Sequence, residues 1–252
     1  QVILDYVLES ISKDISIKVK GKKIFIPDYI NYCLPATEKQ FVGNLPSGSY
    51  ISIPTNMIFG IHWGNVNERR VDLDLSLISL HKKFGWNAEY KSEKLDILFS
   101  GDVTDAPKPL GASELFYVKK QGVKNYIVFL NYYNFYENID VPFKIIVAMS
   151  KPTNFSKNFV VNPNDILLSI LSNINTKQKI LGLLSISPKE AKFYFVETSL
   201  GNSIFSRGTI YGERTRKYLM NFYHDSINLK DILVKAGASI VKSKKDCDVD
   251  LS

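Results

Sequence analysis

Cysteine and histidine are the scarcest chemistry in this chain. Two cysteines, Cys33 and Cys247, stand far apart in 252 residues, one beside a proline-containing loop and one in a polar tail. That usage argues against a disulfide framework and fits a reducing, cytoplasmic compartment. Three histidines, His62, His81 and His224, share no ligand spacing, so a zinc centre has no donor set to build on. No apolar run approaches the length of a membrane helix. The opening residues QVILDYVLESISKD carry neither a basic leader nor a small-residue cleavage site. They also lack an initiator Met, and the expectation is a mature or excised piece of something longer. No G-x-S-x-G, no P-loop and no cysteine beside a base occurs, which makes an enzyme the least favoured class.

What is present is ordinary for a globular chain: 45% hydrophobic and 23% charged residues, with a formal net charge of +7. Such a charge fits an acidic partner such as nucleic acid. The lysines are spread along the chain rather than gathered, however, and a solvated surface is the simpler reading. The stretch RTRKYLMNFYH mixes bases with aromatics as nucleic-acid readers do. Its Tyr218, Leu219 and Phe222 also fit the apolar stripe of a docking helix.

Short strand signals separated by Gly, Asn, Asp and Pro turns run from Tyr50 to about residue 199, with no βαβα alternation. This pattern predicts an antiparallel sandwich or barrel. Residues 2–13 have helical spacing. ISIKVKGKKIFIP predicts a hairpin turning at Gly21, and NPNDILLSILSN is open between strand and helix. NLKDILVKAGASIV predicts a short helix capped by Asn228 and stopped at Gly237. The charged tail KSKKDCDVDLS is expected to be mobile. The division that follows is an N-terminal helix and hairpin (1–45), a β-sandwich (46–205), and C-terminal helices with a charged tail (206–252).

The candidate chemistry lies in two stretches. In RVDLDLSLISL, Val71, Leu73, Leu75 and Leu77 alternate with Asp72, Asp74 and Ser76, so both aspartates share one strand face. Residues two apart on a strand lie roughly 6.5 to 7 Å apart, which lets two carboxylates grip one hard cation such as calcium. The competing reading is a solvated face with Arg69 or Arg70 neutralising the pair. In SGDVTDAPKPLGASE, Gly101 permits a tight turn exposing Asp102, Thr104 and Asp105 add oxygens, and Glu114 opens the next strand. Here the alternative is a common turn sequence with Lys108 pairing one acid. His62, beside Trp63, is the best lone catalytic suspect, and a half-buried strand residue packing beside Trp63 is the preferred reading.

Together the motifs DLDLS and GDVT resemble the TerD-like proteins, named after bacterial tellurite resistance. HWGN…RVDLDLSL…SGDVTDAPKPLGASE is similar to a divergent branch of that family found within larger uncharacterised bacterial proteins. The likeness covers about residues 48–200. It implies an all-β antiparallel sandwich, decorated here by the N-terminal helix-hairpin and the C-terminal helical extension. It also implies a non-enzymatic, calcium-responsive binding module in stress response or defence, with a protein partner and no membrane. Asp72, Asp74 and Asp102 are carried over as calcium ligands, with Asp105 and Glu114 behind them. Where the calcium-binding members have a dense Gly/Asp run, this chain has APKPLGASE, so a metal-free scaffold or assembly domain is the alternative. A basic nucleic-acid-binding domain is third.

Overall fold

Period-two alternation dominates the middle of the chain, and the backbone answers it with strands. A computed structural model describes residues 2–34, 41–79, 81–152, 154–157, 159–196 and 226–252, with 214, 218 and 221 as single residues. In chain order the first elements are α1 (Val2–Val19), β1 (Lys23–Phe25), β2 (Ile30–Asn31), β3 (Phe41–Val42), β4 (Leu45–Pro46), β5 (Tyr50–Ile53) and β6 (Met57–Trp63). Then come β7 (Leu73–Ile78), β8 (Lys83–Gly85), β9 (Ile97–Phe99), β10 (Ala112–Val118), β11 (Lys124–Tyr132) and β12 (Val141–Ala148). The last are β13 (Ile166–Ile174), β14 (Gln178–Ile186), β15 (Ala191–Phe195), α2 (Leu229–Lys235), β16 (Ser239–Val241) and β17 (Val249–Asp250).

Two antiparallel sheets carry most of these strands. One has seven, in the order β2-β5-β15-β14-β11-β7-β8, and the other five, in the order β13-β12-β6-β10-β9. Leu73, Leu75 and Leu77 of β7 join Phe59, Ile61 and Trp63 of β6 in one buried cluster. Phe59 of the five-stranded sheet lies 5.2 Å from Phe193 of the seven-stranded one. Each such side chain contributes roughly 1.5 to 3 kcal/mol on burial, so this shared core is the main force holding the sheets. Gly60 lets β10 approach β6: a Cβ there would stand 2.0 Å from the Glu114 carbonyl oxygen. The segment left open between strand and helix is strand β13, and β14 is an additional strand that the alternation did not single out.

The ends of the chain differ from expectation. The 15–19 stretch is not the first arm of a hairpin but the end of α1. Ile11, Ile15 and Val19, four residues apart, turn inward together, while Ile17 is 87% exposed. Helical spacing therefore prevails over the alternation of Ile15, Ile17 and Val19. Strand β1 pairs in parallel with β16 on one side and β17 on the other. The charged tail is thus part of a three-stranded sheet, because Val249 pairs with Ile24 and the Asp248 carboxylate accepts the Lys23 N–H at 2.7 Å. Helix α2 forms where expected: the Asn228 side chain caps it by accepting from Lys230 N, and Gly237, at φ +89°, follows its end. The stretch around Leu219 and Phe222 lies outside the described residues. Among the described residues no helix is long and apolar enough to cross a membrane.

Candidate cation site

Strand β7 is buried on both faces. Its leucines fill the core, and Asp74 and Ser76 on the opposite face, with Asp72 just before the strand, are only 2%, 0% and 2% exposed. The solvated strand face considered from the sequence is therefore replaced by a buried acidic one. Burying carboxylates costs free energy unless each finds a partner, so the partners define the site.

Asp72 is fixed by its backbone. Its N–H donates to Asn134 Oδ1 at 3.0 Å, and its carbonyl accepts from Tyr133 N at 3.0 Å. Its Oδ2 takes Arg70 Nη2 at 3.1 Å, while Oδ1 is buried with no hydrogen-bond partner. Asp74 lies across from Asn131 in the β7–β11 ladder, and Asn131 Nδ2 donates to its Oδ2 at 2.9 Å. Asp102 enters from the loop between β9 and β10, where Gly101 holds φ +110°, a conformation that favours glycine. Its Oδ1 is likewise buried and unpartnered. Carboxylate oxygens of Asp72, Asp74 and Asp102 all lie within 4.8 Å of one another.

The electrostatics follow from this crowding. Burial raises the Asp74 carboxyl to about 7, with further upward pressure from Asp72 and Asp102 against the pull of Asn131. Burial also raises Asp72, and Arg70 restrains the rise. Tyr90 is raised by partial desolvation and by the Asp102 charge, against a smaller pull from the Asp102 backbone.

The other two sequence candidates sit differently. Glu114 is fully buried on β10, but both its oxygens are taken: Oε2 accepts Leu75 N at 2.7 Å and Oε1 accepts Val103 N at 3.0 Å. Burial pushes it up to about 9 in spite of those two donors, with Asp74 and Asp102 adding to the rise. Asp105 is exposed and accepts Asn65 Nδ2 at 2.9 Å. The structure thus brings together Asp72, Asp74 and Asp102, holds Glu114 behind them by backbone contacts, and leaves Asp105 at the rim.

The asparagines were not singled out from the sequence. Asn131 and Asn134 lie at the end of β11 and just after it, and Asn65 follows β6. His62 is half-buried on β6, with Nδ1 2.9 Å from Ser113 Oγ and its pKa lowered by burial and by Lys144. Strand alternation turns it away from Trp63, whose Nε1 donates into the core to the Val71 carbonyl at 2.9 Å.

The donor set fits a hard cation. Three carboxylates with no histidine or cysteine among them suit calcium, which takes six to eight oxygens at about 2.3 to 2.6 Å and tolerates loose geometry. The two unpartnered buried oxygens are the atoms such an ion would satisfy. Compared with protein-family profiles and with curated protein sequences, the chain matches none.

Proposed function

We propose that the chain is a non-enzymatic, calcium-responsive binding module on a TerD-like β-sandwich, acting in a bacterial stress-response or defence system. One observation carries the reading: Asp72 Oδ1 and Asp102 Oδ1 are buried, unpartnered and grouped with Asp74. Asp72, Asp74 and Asp102 would hold the cation, whose charge offsets the repulsion among them. The protein's own groups supply the rest. Asn131 orients Asp74, Asn134 and Tyr133 fix the Asp72 backbone, and the exposed rings of Tyr90 and Tyr133 offer a partner protein an apolar surface beside the site.

Calorimetric titration with calcium tests this. Wild type should bind one ion, and Asp74→Asn should lose the heat of binding while remaining folded, because its amide can still pair with Asn131. Wild type giving no heat at millimolar calcium would overturn the metal reading.

A second reading is a metal-free scaffold or assembly domain of a larger protein, and Arg70 favours it. Its guanidinium already pairs one oxygen of Asp72, and an Asp74 carboxyl near 7 is largely protonated in mild acid. Native mass measurement separates the two: a stable oligomer without bound calcium supports the scaffold.

A further inference from the structure

Two side chains tie the loop carrying Asp102 to the strand carrying Asp72 and Asp74, one at each end of the cluster. Glu114 spans Leu75 N and Val103 N, the residues that follow Asp74 and Asp102. Asn65 spans the other end. Its Oδ1 accepts Val71 N at 3.0 Å and Ala106 N at 3.2 Å, its Nδ2 holds Asp105, and its backbone N–H donates to the Ala106 carbonyl at 2.7 Å. Val71 immediately precedes Asp72. Each clamp therefore joins a backbone amide next to one aspartate to a loop amide on the Asp102 side.

We infer that Asn65 and Glu114 are the positioning residues of the three-carboxylate site, assembling it before any cation arrives; this rests on the calcium reading above. The chemistry of the pairings supports it. A carboxyl group or amide oxygen that accepts two backbone N–H donors fixes both backbones at once, and each Glu114 oxygen already holds one of them. The clamp comes from β10 of the five-stranded sheet and grips β7 of the seven-stranded one, so the loop is referenced to both sheets. A preformed site spares the ion the ordering of the loop. Removing such an orienting partner typically lowers metal affinity by about 10- to 100-fold.

The test is calcium titration of the whole chain as wild type, Asn65→Ala and Asn65→Asp, with amide hydrogen exchange of the metal-free forms. In metal-free wild type the amides of Val71, Leu75, Val103 and Ala106 should exchange slowly. In Asn65→Ala, Val71 and Ala106 should exchange faster, Leu75 and Val103 should stay protected, and calcium affinity should fall by at least tenfold at a temperature where the variant is folded. Asn65→Asp retains the acceptor for Val71 and Ala106 but loses the donor to Asp105, so its exchange at those two amides should stay close to wild type. Lowered melting temperature with unchanged calcium affinity in Asn65→Ala would make Asn65 merely structural and overturn the inference. Wild type that fails to bind calcium would instead remove the reading beneath it.

Discussion

Arg70 Nη2 stands 3.1 Å from Asp72 Oδ2, while the other oxygen of the same carboxylate has no partner. The positive group beside the paired aspartates is thus a half-exposed arginine two residues away, and it satisfies only half of one acid. Its neighbour Arg69 serves elsewhere, over the ring of Tyr136 at 5.1 Å. An arginine tethered next to a cation site competes with the cation. Arg70→Ala should therefore lower metal-free stability by about 1 kcal/mol, the scale of a partly exposed ion pair. It should raise calcium affinity by roughly fivefold, the same energy expressed as a ratio. Urea unfolding and calorimetric titration of the variant measure both.

The raised carboxyls predict an unusual pH profile. Asp74 moves from 3.8 to about 7 on folding, and Glu114 from 4.5 to about 9. Between those limits the folded chain holds protons that the unfolded chain has released, so stability falls as pH rises. The Asp74 contribution is lost from about pH 4 to 7 and that of Glu114 from about pH 4.5 to 9. Metal-free protein should melt highest in mild acid and progressively lower toward pH 9. Saturating calcium should flatten that decline, because it favours ionised Asp74. Thermal melts across pH 5 to 9, with and without calcium, check the sign.

How much of this is legible in the sequence varies with the range of the interactions. The strands around Phe59, Leu75, Phe116 and Val128 announce themselves because alternation and burial act within a few residues. The grouping of Asp72, Asp74 and Asp102 was readable as two acidic stretches. Their burial was not, since what covers a strand face is set by distant chain. Glu114 illustrates the limit: an acid at a strand start looks like a ligand, and only its contacts to Leu75 and Val103 in three dimensions give it another role. The helix running through Ile15 to Val19 is ambiguous in the sequence because a short apolar run fits both periods. The parallel pairing of β1 with Ser239–Val241 and Val249–Asp250 joins segments more than 200 residues apart, which no local signal encodes.

Gly60 offers a structural check that bears on the same site. Its missing side chain admits the Glu114 backbone, since a Cβ would lie 2.0 Å from that carbonyl oxygen. Gly60→Ala should push β10 away from β6 and cost about 1 to 3 kcal/mol or more, as overpacking does. Because Glu114 rides on β10, calcium affinity should fall along with stability in the same denaturation and titration series.

A crystal structure of the chain grown with calcium, read from an anomalous difference map, decides whether the three carboxylates hold an ion. A single peak should lie within coordinating distance of Asp72, Asp74 and Asp102, with Glu114 still hydrogen-bonded to Leu75 and Val103. A map with no peak there, and Arg70 still paired with Asp72 in saturating calcium, would contradict the calcium reading.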